Sequence, residues 1–174
     1  YVVDHVLAQL YVQLNRGEYH LRTNFARTRV SADTYYVPDI VVIPVPLEQA
    51  LLARPGSLDA YSDPLPLVIE VWSSSTGDYD INEKLPDYQL RGDLEIWYVH
   101  PYELTLTAWR RRSDGSYAGT VYRGGMVRPE TLPGADIDLA ALFAQYVGNR
   151  FQDCAFARTS DTLDGDDAVV RAQD

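Results

Sequence analysis

Apolar side chains at Val3, Val6, Leu7, Leu10 and Leu14 recur at steps of three and four, and Gly17 follows as a stop. This spacing predicts an amphipathic first helix. The period then shortens. Glu18–Thr23 and Phe25–Val30 alternate and are rich in β-formers, with Ser31, Ala32 and Asp33 as the turn that follows. Pro38, a residue type tolerated at a strand start, precedes the wholly apolar run Ile40–Ile43. That run is predicted to be a buried strand with Asp39 at its mouth.

Pro44, Pro46, Pro55, Gly56, Pro64 and Pro66 punctuate the next stretch, which is predicted to be a connecting loop with one short helix around Glu48–Ala53. Leu67–Trp72 is a second buried strand, interrupted by Glu70 where an apolar side chain belongs. After the polar turn Ser73–Gly77, a helical pattern runs from Asp80 to Leu90 and closes at Gly92. Asp80, Lys84 and Tyr88 share one face if that helix is unbroken, and Pro86 is the residue that threatens it. Leu94–Val99 reads as a strand. Leu104–Arg110 and Tyr117–Arg123 flank Ser113-Asp114-Gly115 as a hairpin, and a last helix spans Leu139–Val147. The order of these elements predicts an α/β fold, a central mixed β-sheet flanked by helices.

Length and composition narrow this picture. With 174 residues, 46% of them hydrophobic, the chain suits one core. The expectation is a single domain over 1–157 followed by an acidic, disordered tail over 158–174, where five aspartates face two arginines. No run approaches the roughly 18 apolar residues of a membrane span. The lone Cys154 has no intrachain disulfide partner. Both features suggest a soluble protein in a reducing, cytoplasmic setting. The net charge of −10 excludes a broad basic surface for gripping nucleic acid, so any such contact needs a local basic track. Fourteen of the fifteen basic residues are arginine, and Lys84 is the single lysine. A compact ammonium is retained where a planar guanidinium does not serve.

Two carboxylates at the ends of neighbouring core strands, with a lysine from an adjacent helix, are the parts that metal-assisted phosphodiester cleavage requires. Mg²⁺ takes one or two carboxylates and fills its octahedron with water and substrate oxygens. Asp39 and Glu70 would supply the carboxylates. A nearby ammonium orients the attacking water and offsets developing charge, the role open to Lys84.

Val37-Pro38-Asp39, Val68-Ile69-Glu70-Val71-Trp72-Ser73, Asp80 through Lys84 with Tyr88, and Glu95-Ile96-Trp97-Tyr98-Val99 together resemble the restriction-endonuclease family called Uma-two. Leu132-Pro133-Gly134, Asp138-Leu139 and Leu142-Phe143 look like its closing segment, so the resemblance runs from about Phe25 to Phe143. It implies a restriction-endonuclease-like PD-(D/E)xK core, Mg²⁺-dependent endonuclease chemistry on DNA with Mn²⁺ as a possible substitute, and a homodimer. It further implies a backbone carbonyl at Val71 as a third metal ligand. In the parent pattern the lysine lies two residues after the acid. Trp72 stands there in this chain, which passes the role to Lys84.

The plainer alternatives stand beside these assignments. Glu70 would also be accommodated by a buried salt bridge, with Lys84 itself as partner. Asp80 either holds Lys84 from behind or makes an ordinary i, i+4 pair on a solvated face, and Tyr88 shares that helix face. Ser73 to Thr76 suit helix capping better than phosphate binding. Arg27 and Arg29, two apart on one strand, are the candidates for the basic track. Arg110-Arg111-Arg112 reads as a solvated turn, with a phosphate contact as the alternative. The competing functional class is a catalytically silent nucleic-acid- or protein-binding module in which the acids and Lys84 form a structural network.

Overall fold

A computed structural model describes residues 1–54, 60–75 and 77–147. The expected tail, the 157/158 boundary and Thr76 lie outside the described residues. Tyr1–Phe143 form one compact unit and Ala144 begins a second, of which only the helical residues 144–147 are described.

The core is a six-stranded sheet in the order β1 (Tyr19–Thr23), β4 (Ile40–Pro44), β6 (Leu67–Val71), β7 (Glu95–His100), β8 (Thr105–Arg111), β9 (Tyr117–Tyr122). β6 and β7 run parallel and every other neighbouring pair is antiparallel, which makes the sheet mixed. The runs predicted as buried strands occupy its centre, because a strand covered on both faces needs apolar residues at consecutive positions. Ile40 to Ile43 and Leu67 to Ile69 are all fully buried. Burying each such side chain contributes on the order of 1.5–3 kcal/mol.

Two short pieces complete the β-structure. β2 (Arg27–Arg29) pairs antiparallel with β3 (Tyr35–Tyr36) and parallel with β5 (Ala60–Tyr61). β10 (Met126–Val127) pairs with β11 (Ile137–Asp138). β3, β5, β10 and β11 carry no sequence signal of their own, since two residues are too few for a period. Long-range partners make them strands.

One face of the large sheet presents Val41, Ile43, Val68 and Ile96, which form a buried cluster with Ala26, Tyr61, Leu65 and Tyr88. Against it pack Leu47 and Leu51 of α2 (Val45–Leu52) and Leu85 of α4 (Leu85–Arg91). Alternation puts Ile40, Val42, Ile69, Trp97 and Val99 on the other face. α1 (Val2–Tyr11) buries Val2, Val6 and Leu10, and Gln9 and Gln13 tie it to residues 136 and 138. A further helix begins at 139, and its Leu139, Leu142 and Phe143 are buried. Among the described residues no helix is long and apolar enough to cross a membrane.

The helical segment after β6 differs from a plain α-helix. α3 (Gly77–Tyr79) leads into a π-helical stretch, Asp80–Lys84, and then α4. The Leu85 N–H donates to the carbonyl of Asp80, five residues back. This widening ends just before Pro86, which therefore sits in the first turn of α4, where its missing N–H costs nothing. Gly92 closes α4 at φ 85°, and its N–H and that of Asp93 both return to the Tyr88 carbonyl.

Candidate active site

β4 and β6 are antiparallel with Ile40 opposite Ile69, so continuing the register by one residue sets Asp39 beside Glu70. Glu70 lies two residues beyond Val68 and so shares the face on which the helical segment packs. Lys84 and Tyr88 of that segment both reach its Oε1, with Nζ at 3.1 Å and the phenol hydroxyl at 2.7 Å. The same Nζ lies 2.7 Å from Oδ1 of Asp80, one turn back. Asp39 is fixed differently: its Oδ2 accepts the Val71 N–H at 2.8 Å. The structure thus brings Asp39, Glu70, Val71, Asp80, Lys84 and Tyr88 into one cluster, despite Pro86.

Burial sets the electrostatics. Glu70 is 4% exposed, and loss of solvation pushes its carboxyl from 4.5 up to about 7, against the opposing pull of Lys84 and the Tyr88 hydroxyl. Asp39 is also raised by burial, less the Val71 N–H bond and the charge of Lys84. For Lys84, burial disfavours the ammonium, but Glu70 and Asp80 outweigh it and hold the pKa above its ordinary value. Lys84 is therefore a fixed cation and Glu70 a group poised to titrate.

The donor set fits a hard divalent cation. Each carboxylate commits one oxygen to a protein donor, and neither Oδ1 of Asp39 nor Oε2 of Glu70 accepts a hydrogen bond from a described residue. Among the described residues no three His, Cys, Asp or Glu side chains are arranged to hold an ion.

Arg27 and Arg29 do share one face of β2, but Thr28, buried between them, is on the other. Arg27 lies over the Tyr35 ring at 5.5 Å, and Arg29 donates to the Ala32 carbonyl at 2.9 Å. Among the described residues no hydrogen bond or ion pair joins either arginine to the acid cluster. The Ser73 carbonyl accepts the Gly77 N–H at 2.9 Å, and its hydroxyl lies 3.1 Å from that of Ser75.

Trp72, in the position where the parent pattern has lysine, leaves the strand and stacks on His100 at 4.4 Å. Its indole lies so close over Gly77 that a Cβ there would sit 1.8 Å from Nε1. Arg110 is not a solvated turn residue: its Nε donates to the fully buried Glu95 at 3.0 Å and its Nη1 to the Tyr122 hydroxyl at 2.8 Å. Sequence reasoning also missed buried Asp93, gripped by Arg91 at 2.5 and 2.9 Å, and buried Glu48, held by Arg22. Glu95 gives the same local signal as Glu70, an acid in an apolar strand. Only the partners across the sheet show that it is structural.

A mixed sheet flanked by helices, with an acid pair at the strand ends and a lysine over them, defines a restriction-endonuclease-like protein. The chain belongs to the Uma2 family, whose model, described as "Putative restriction endonuclease", matches residues 2–140. A solved structure, that of a putative nuclease belonging to DUF820 from Anabaena variabilis ATCC 29413, has the same fold with a TM-score of 0.65. The two are 15% identical over 82% of this chain and 78% of that one, a likeness that speaks to the fold. No curated protein matches the chain.

Proposed function

We propose that the chain is a Mg²⁺-dependent endonuclease that hydrolyses phosphodiester bonds in DNA, working as a homodimer. The observation that carries this reading is the single lysine, held 2.7 Å from Asp80 and 3.1 Å from Glu70 at the strand ends. Oδ1 of Asp39, Oε2 of Glu70 and the Val71 carbonyl would hold the cation. When bound, it supplies Lewis acidity to the phosphate and lowers the pKa of a coordinated water.

The chain's own residues do the rest. Asp80 restrains the Lys84 side chain so that its ammonium stays over the carboxylates. Lys84 donates to the attacking water and balances charge that builds on the phosphate. Tyr88 fixes Glu70 through Oε1, and the Val71 N–H fixes Asp39, so both acids are oriented before substrate arrives.

The test is cleavage of plasmid and single-stranded DNA with Mg²⁺ or Mn²⁺ by the wild type, Lys84→Ala and Glu70→Ala. Cutting by the wild type, lost by at least about a hundredfold in both folded variants, supports the assignment. No cutting by the wild type with either metal on either substrate returns the cluster to a structural network in a silent binding module. Sedimentation of the wild type tests the dimer.

A further inference from the structure

The face that carries Glu70 continues past Asp39 onto β1. Arg22 pairs with Val41, and Val41 with Val68, so all three side chains point the same way as Glu70. Beside Arg22 opens a pocket of about 230 Å³, bounded also by Phe25, Glu48, Leu51, Leu52 and Tyr61. β1 lies two strand spacings from β6, roughly 10 Å. Arg22 also lies two residues along the strands from the level of Glu70, about 7 Å, so the pocket is within reach of a nucleotide one or two steps from the one being cut.

Its polar floor is preorganised. Buried Glu48 contacts His20 Nδ1, receives the Tyr61 hydroxyl at 3.4 Å, and binds Arg22 Nε at 2.8 Å and Nη2 at 2.7 Å. Arg22 Nη1 donates to the Leu21 carbonyl at 3.1 Å. A guanidinium has five N–H donors, and these contacts use three. One N–H on each terminal nitrogen remains, on a side chain that is 41% exposed. The rim is apolar: Phe25 is 72% exposed and Leu52 69%.

An exposed ring beside a fixed guanidinium and aliphatic walls suits a flat group with acceptor atoms on its edge. We propose that this pocket binds one unpaired nucleobase of the DNA strand that crosses Asp39 and Glu70, stacked on Phe25 with its acceptor edge at Arg22. A volume of about 230 Å³ suits a single heterocycle and not a stacked pair. The proposal rests on the endonuclease reading, since it takes its ligand from that substrate. A second copy of the chain covering Phe25 and Leu52 is the other occupant that the test separates.

The experiment is fluorescence anisotropy of a labelled single-stranded oligonucleotide with the full-length chain, Ca²⁺ replacing Mg²⁺, while one abasic site is moved along the strand. In the wild type, one position should cost about tenfold in affinity. In Phe25→Ala, an exposed change that spares the core, affinity for the intact strand should fall by the same factor and the position dependence should vanish. Measurable binding with a flat abasic profile, or a Phe25→Ala variant that binds like wild type, overturns the pocket and leaves the endonuclease reading standing. Absence of any binding at low salt defeats both. Loss of self-association in Phe25→Ala with an unchanged abasic profile assigns the pocket to a second copy and overturns the proposal.

Discussion

Glu70 is the residue on which the site's pH behaviour turns. Its carboxyl titrates at about 7 in the folded protein and at the ordinary 4.5 once burial is lost. The folded state thus holds the proton more tightly than the unfolded chain. The resulting stabilisation is fully present below 4.5 and is lost as pH rises through about 7, a change on the order of 3 kcal/mol. Urea denaturation of the metal-free wild type and Glu70→Gln should therefore show the wild type losing ground between pH 5 and pH 8, because the amide does not titrate. A constant difference would mean that Glu70 titrates like an exposed acid. A cation competes with that same proton, so Mn²⁺ affinity should rise with pH and level off above about 7. The Tyr88 hydroxyl favours the ionised form of Glu70. Tyr88→Phe should accordingly move the midpoint of the Mn²⁺ profile to higher pH, and an unmoved midpoint would deny that this hydrogen bond tunes the acid.

At the scale of elements, the helical segment from Gly77 to Arg91 decides whether Lys84 meets Glu70. Its start is set by Trp72, whose indole lies where a side chain on Gly77 would be. Gly77→Ala should destabilise the protein by about 1–3 kcal/mol through overpacking. The cost should shrink in the Trp72→Ala background, so a double-mutant cycle by chemical denaturation should be clearly non-additive. Additive effects would show that the indole does not register the helix. Helix, stop and shared face were legible in the spacing of Asp80, Lys84 and Tyr88 and in Gly92. The π-helical stretch was not, because hydrogen bonds to the fifth residue leave no mark in the spacing of apolar and polar positions.

Across the whole molecule, acids other than those of the site are buried with arginine partners. Asp93 is wholly buried, accepts the Leu65 N–H at 2.7 Å, and holds an Arg91 side chain that is itself 3% exposed. Arg91 also donates to the Tyr61 carbonyl at 2.8 Å, so this pair fastens the end of α4 to the loop entering β6 and to β5. Removing one partner of such a pair leaves an uncompensated charge. Asp93→Ala should cost roughly 3–5 kcal/mol in denaturant unfolding. A loss below about 1 kcal/mol would show that solvent reaches Arg91 and that the pair is peripheral.

The sequence by itself determined the central strands, the first and last helices and the hairpin, and it singled out Asp39, Glu70 and Lys84 as candidates for the site. Each rests on local information: a period, a stop residue, or a charge out of place in an apolar run. The tertiary structure alone decided which misplaced charges belong together. Glu70 and Glu95 look alike along the chain, yet one faces a lysine and a tyrosine at the strand ends and the other is sealed by Arg110 on the opposite face. It also gave Arg27 the Tyr35 ring and Arg29 the Ala32 carbonyl as partners, and placed Arg22 beside a pocket on the acids' side of the sheet. The physical reason is that a side chain's period fixes the face it occupies, whereas its partner is chosen by strand order and register, which bring together residues far apart in the chain.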